Sequence, residues 1–419
     1  MTITHVQNYG EVQQRDIWEY ELNLTQKENE LLLGHIWEVL GEKYDYYFLT
    51  KNCASRMGEV LDILDGVNVT PKNPMWVTPH SLLQNMAAET IDGRSLIKTI
   101  KYHPSRQSRF YRRFSNLAYD EQKKLTRLVS NMDELDSPVF SQLPASTQYR
   151  LLDTLLDYFQ YVRDENKKNE DINNVYYQSV LSKRFKMPPY DDNLDFNAKS
   201  NPHTERGTSL VGIRFLYNET AGQGLEFQIR PSYYDALDGG ASHIPHSELT
   251  MGRLRFSLFS DDLKIRDLSI VNVESVNNSL TGLPGDSDRP WKIGLGLEQL
   301  SLDCEDCLTG YFRASTGYSS LHMGRKLYLG AYLGVGLADN TGGRGIVYVN
   351  PIFELGLNLN QKWRLKLKSQ YRDYVESNNA DDLISEVLIR RAITHDLDLR
   401  IDYKHDTVSE YGISTHYYW

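Results

Sequence analysis

Asn52-Cys53 is the residue pair in this chain best placed to do chemistry. Cys53, Met57, Val60, Leu61 and Leu64 fall at i, i+4, i+7, i+8 and i+11, the spacing of one helix face. The pair follows directly on the aromatic run Tyr44-Asp45-Tyr46-Tyr47-Phe48-Leu49, which reads as a strand. A thiol at the start of a helix sits beside unpaired backbone N–H groups and the positive end of the dipole, and both favour the thiolate. Attack on an amide or ester would also need a general base, usually His, and oxyanion donors. The same spacing fits an inert core cysteine.

The other two cysteines, in Leu302-Asp303-Cys304-Glu305-Asp306-Cys307-Leu308, fall between two predicted strands. Neither a second Cys pair nor a His cluster completes a zinc shell, so neither a metal nor any other cofactor is expected. In a cell-envelope protein a Cys304–Cys307 disulfide is the expectation. Residues i and i+3 of a turn lie under about 7 Å apart, within a disulfide's reach.

Other candidates carry less. Asp45, Glu19 and Glu38 have no spacing for paired-carboxylate chemistry, and the glycine-rich 340–345 lies in a hairpin rather than before a helix, so it is no phosphate loop. Lys362, Arg364, Lys366, Lys368 and Arg372 share one face of a strand, opposite Trp363, Leu365, Leu367 and Tyr371. This row is expected to pair with Asp396, Asp398, Glu386 and Asp402, either as a structural network or as the lining of an anion-preferring pore.

The elements that must position these groups are mostly strands. From residue 207 onward about twelve alternating segments start near Ser209, Gly224, Glu248, Leu263, Trp291, Thr309, Lys326, Ile346, Trp363, Ser385, Leu397 and Glu410. In the last of them Tyr411, Ile413, Thr415, Tyr417 and Trp419 share one face, and Glu410, Gly412, Ser414, His416 and Tyr418 the other. Period two with an apolar outer face and a charged or small inner face is the signature of a transmembrane β-barrel. A soluble β-sandwich would also alternate. A strand closing on Trp419 resembles the signal by which outer-membrane barrels are recognised for assembly. Outer-membrane lipid and the assembly machinery are therefore the expected partners.

Composition agrees. The mean hydropathy of −0.52 and the lack of long apolar runs exclude a transmembrane helix but not a barrel. Twenty-eight tyrosines suit interfacial girdles. A net charge of −10 argues against nucleic acid as a partner.

Upstream, Thr25 is a predicted N-cap for a helix carrying Leu31, Leu32, Ile36, Val39 and Leu40. Helices are predicted over 120–131, 145–167 and 175–184, followed by an Asn-, Asp- and Pro-rich stretch over 188–206. The organisation read from this is a partial α+β domain (1–100), an α-helical region (101–190), a linker (191–206) and an antiparallel barrel of about twelve strands (207–419).

Asp16-Ile17-Trp18-Glu19-Tyr20-Glu21-Leu22-Asn23-Leu24, His35-Ile36-Trp37-Glu38, Tyr46-Tyr47-Phe48, Asn52-Cys53 and Trp76-Val77-Thr78-Pro79 occur in that order. Over residues 10 to about 90 the chain resembles the second half of the Lnb N-terminal periplasmic domain family. The resemblance implies a permuted papain-like amidase fold in the periplasm. Cys53 would be the nucleophile and Asn52 would shape its turn. The base would be a His upstream, in a Ser-x-Phe-Gly-His segment. Here only His5 and His35 precede Cys53, neither after Phe-Gly, and His80 follows it. The start, Met-Thr-Ile-Thr-His-Val, shows no signal peptide. Both features lead to the expectation of a truncated form. Two functions follow: a barrel-anchored cysteine hydrolase or acyltransferase acting on a peptide or lipid substrate, impaired as it stands, or a non-enzymatic channel or assembly scaffold with a relic or binding-only periplasmic domain.

Overall fold

The computed structural model describes residues 13–70, 76–162, 170–190, 194–196, 200–240, 243–260, 262–277, 279–286, 289–304, 306–339, 346–375 and 382–419. The chain opens with β1 (Ile17–Leu22), α1 (Gln26–Val39), α2 (Cys53–Leu61), α3 (Pro79–Ala88), the hairpin β2 (Thr90–Ile91) and β3 (Arg94–Ser95), and β4 (Ile97–His103). Side chains set the helix starts. Thr25 and Glu28 form a reciprocal capping box on α1. Thr78 caps α3, with Pro79 supplying the fixed φ of a first helical turn.

Residues 44–49, expected as a strand, form an exposed loop closed by a bridge between Tyr47 and Lys51 and held by the Val77 N–H, which donates to the Leu49 carbonyl. Among the described residues no strand runs beside them, and an unpartnered strand leaves its polar backbone to water.

The chain divides into two compact units, the first comprising 1–22, 97–201 and 279–287. In it β1 pairs antiparallel with β4, Ile17 opposite His103. The rest is helical: α4 (Arg106–Asn116), α5 (Tyr119–Ser130), α6 (Pro138–Ser141), α7 (Ala145–Val162) and α8 (Glu170–Phe185). Phe110, Phe114, Leu125, Leu151, Leu155, Phe159 and Val180 form its core, joined by Leu283. Asp286 is buried here and accepts from the hydroxyls of Tyr111, Tyr161 and Thr281.

The second unit, 23–96, 202–278 and 288–419, contains the barrel. Its strands are β5 (Leu210–Asn218), β6 (Gly222–Arg230), β7 (Ser232–Tyr234), β8 (Glu248–Phe259), β9 (Asp262–Ser275), β10 (Trp291–Gln299), β11 (Leu308–His322), β12 (Leu327–Ala338), β13 (Val347–Asn358), β14 (Trp363–Tyr374), β15 (Asp382–Ala392), β16 (Leu397–His405) and β17 (Ser409–Tyr418). Short β7 continues β6 past Pro231 and pairs with the same neighbour, β8, so the wall has twelve staves. It closes where β17 meets β5, with Ile413 opposite Phe215. Every contact is antiparallel, and closure leaves no edge.

The parity matches the sequence. Leu333 and Phe353 are 62% and 64% exposed, while their neighbours Tyr332 and Glu354 are 4% and 5% exposed. An apolar outer belt around a charged interior is stable only with lipid outside. No described helix is long and apolar enough to cross a membrane. Turns are set by short polar side chains: Asn218 Oδ1 accepts from the N–H groups of Thr220 and Ala221, and Asn360 Oδ1 from those of Lys362 and Trp363. Inward glycines make room for large partners. A Cβ at Gly336 would lie 2.0 Å from the Tyr348 ring.

Candidate functional site

Two places could carry function: the N-terminus of α2 and the barrel interior. Both lie in the second unit.

At α2 the organiser is Asn52. Its side-chain oxygen accepts from the backbone N–H groups of Ala54 (3.0 Å) and Ser55 (3.2 Å). Its amide nitrogen donates to the carbonyls of Phe48 (3.1 Å) and Val77 (2.7 Å). One buried amide thus ties the 44–51 loop, α2 and the segment before α3 together. Cys53 takes the first helical position with its thiol exposed. Asn52→Ala is expected to cost about 1 kcal/mol for the cap, plus roughly 1–3 kcal/mol for the buried Val77 carbonyl left without a donor. Hydrogen exchange at the amides of residues 54 and 55 checks this. Unchanged protection would show that the loop holds itself.

Neither described candidate histidine bonds the thiol. His35 is on α1, 3.7 Å from Glu38. His80 is in α3; burial pushes its imidazole below the usual range, opposed by a bond to the Glu205 backbone. His5 lies outside the described residues. Among the described residues no imidazole hydrogen-bonds to Cys53. The phenol of Tyr233 lies within electrostatic range of Cys53 and Tyr46. Sequence reasoning missed Tyr233, which is 180 positions downstream in a strand with no motif.

Cys304 and Cys307 are joined by a disulfide, Cα atoms 5.8 Å apart. Their loop, 300–307, leaves β10 at the barrel end remote from Leu210 and bridges towards the opposite wall. The Leu302 carbonyl accepts from Asn218 Nδ2 (2.9 Å) and its N–H donates to Asp406 (3.0 Å), while Ser301 Oγ lies 2.8 Å from Thr407 Oγ1.

Below this loop charged side chains fill the lumen. Lys292 Nζ lies 2.6 Å from Glu354 and 3.1 Å from Glu274, and Lys366 reaches Glu274 from the far wall at 3.1 Å. Arg372 spans to Glu298 at 2.7 Å, and Arg266 to Glu410 at 2.9 Å. The expected partners of the β14 row are thereby corrected. Only Glu386 faces it, opposite Lys368. Asp398 holds Arg206 and Arg390, Asp402 holds Arg214, and Asp396 bonds His395. The lumen is narrow enough for long side chains to reach across it, a distance that neighbour-by-neighbour reading along the sheet does not register.

At the end where Leu210 and Tyr418 lie, residues 235–240 and 243–247, between β7 and β8, fold inward. Asp238 is 2% exposed and accepts from Arg230 (2.7 Å), Arg400 (2.8 Å) and the Tyr418 hydroxyl (2.6 Å). His246 stacks on Tyr328. On the rim of this end, Trp76 Nε1 donates to Ser209 Oγ at 2.7 Å, and its ring lies 6.1 Å from that of Trp419. Ser209 and Trp419 are themselves paired by two backbone hydrogen bonds.

Residues 4–87 match the Lnb N-terminal periplasmic domain, and residues 199–418 match a domain of unknown function, DUF7840. Among solved structures, a KdgM porin in complex with disordered oligogalacturonate is 8% identical, with a TM-score of 0.33, over 50% of this chain and 99% of that one. Omp33 of Acinetobacter baumannii is 13% identical, with a TM-score of 0.29, over 51% and 99%. No curated protein matches the chain. The apolar outer belt and the periplasmic domain family put the barrel in the outer membrane with the N-terminal domain in the periplasm. The end carrying Leu210 and Tyr418 is then periplasmic, and the 300–307 loop extracellular.

Proposed function

This chain belongs to the DUF7840 family, and from that premise we propose that it is a non-enzymatic outer-membrane scaffold: a closed barrel that anchors a periplasmic segment which binds rather than cleaves. The observation that carries this reading is the filled lumen. Ion pairs such as Lys366–Glu274 and Arg372–Glu298 cross it at different heights, and a loop folds over each mouth. Long side chains held across the lumen in such pairs occupy the cross-section that a continuous water path would need.

The periplasmic segment supports the binding role. Leu33, Trp37, Leu40, Tyr46, Tyr47 and Phe48 are each more than half exposed, around the helix and loop that lead to Cys53. A cluster of this kind marks an interaction surface. The placement of Cys53 at the first position of α2 favours a second reading, a papain-like cysteine hydrolase or acyltransferase.

The purified chain, reconstituted in planar bilayers, is expected to give no stepwise conductance. Stable ohmic steps would replace the scaffold reading with a channel. Amide or ester turnover abolished by Cys53→Ala would replace it with the hydrolase.

A further inference from the structure

Three arginines stand side by side on the lumen wall near its periplasmic end. Arg364 of β14 is directly opposite Arg390 of β15, and Arg390 is directly opposite Arg400 of β16. Like charges opposed across neighbouring strands repel, more strongly where the surroundings are poorly polarisable. Two of the three are neutralised. Asp398 bonds Arg390 at 2.6 and 2.9 Å, and Asp235 and Asp238 bond Arg400 at 2.9 and 2.8 Å. These carboxylates are shared: Asp398 also holds Arg206, and Asp235 and Asp238 also hold Arg230. Four guanidiniums thus divide three carboxylates among them.

Arg364 is the one left over. Among the described residues it has no carboxylate partner, and its guanidinium donates to the backbone carbonyl of Asp238. Arg364 Nε and Arg390 Nη1 are both buried N–H donors without an acceptor. Arg390 is 2% exposed. The loop beside it carries no side chain there: a Cβ on Gly239 would sit 3.1 Å from Arg390 Nη1.

The geometry points to an anion site at Arg364 and Arg390 that takes a phosphate-type oxyanion from the periplasmic side. Guanidinium forks match the spaced oxygens of such a group better than a spherical halide. The same chemistry fits free phosphate or a phospholipid headgroup. The site does not rest on the scaffold reading, since an anion held at one end of the lumen is compatible with a closed or a conducting barrel.

The test uses the full chain in phosphate-free, non-ionic detergent, titrated calorimetrically with inorganic phosphate and, in parallel, with short-chain phosphatidylglycerol dispersed in the same detergent. Saturable phosphate binding assigns a free oxyanion, and saturation by the lipid alone assigns the headgroup. In either case Arg364→Gln is expected to weaken binding by about tenfold or more. The outward-facing Arg391→Gln should leave it unchanged. Arg364→Gln should also resist denaturant better than the parent without phosphate, because it removes one of the opposed charges. If that variant does not fold, Gly239→Val crowds the same donors and should weaken binding similarly. No saturation in either arm, or equal weakening by Arg391→Gln, overturns the site.

Discussion

Glu354→Ala is expected to destabilise the barrel by ~3–5 kcal/mol, because removing one partner of a buried ion pair strands the other. Glu354 lies 2.6 Å from Lys292 and 3.7 Å from Lys366, and is 5% exposed. Without it the two ammonium groups share Glu274 alone. The double variant Glu354→Ala, Lys292→Met should recover much of the loss, since it removes the stranded charge together with its partner. Equilibrium denaturation in vesicles, followed by tryptophan fluorescence, measures both. A loss within ~1 kcal/mol, the range of exposed pairs, would mean that water reaches Glu354. The lumen would then be open to solvent at mid-barrel rather than closed.

Leu333→Arg should cost ~2–4 kcal/mol, the range for a cation at the midplane of a barrel's lipid face. Leu333 is near the middle of β12 and 62% exposed. Leu337→Arg, on the same face near the strand's end, should cost only ~0–1 kcal/mol. Depth is the variable under test, so equal costs at the two positions would remove the lipid boundary from the argument.

The barrel was legible because lipid imposes a rule on every second residue. All twelve staves begin within three residues of the starts read from alternation, and the outward set of β17, Tyr411 to Trp419, is the exposed one. Helix starts were equally readable where a polar cap announced them, as Thr25 does for α1. The strand expected over 44–49 failed for lack of a neighbour, a condition its own residues cannot encode. Lys366 bonding to Glu274 across the lumen was invisible for a related reason: nothing in local pattern says which walls of a closed cylinder face each other. The candidate site was read in part. Asn52-Cys53 announced a capped helix start, but the nearness of Tyr233 depends on where β7 falls.

The seat of Trp76 has a consequence for the order of events. Its indole meets Ser209 at the start of the first stave and Trp419 beside the last, and those two residues lie together only once β17 has zipped onto β5. While the seam is open, Trp76 has half a seat. The Trp76 contacts of the segment carrying α2 and α3 are therefore complete only on a closed cylinder. A residue outside the wall thus gains its full set of contacts only when the wall is complete, and Asn52, bonded to the Val77 carbonyl next to Trp76, links that seat to the start of the helix bearing Cys53.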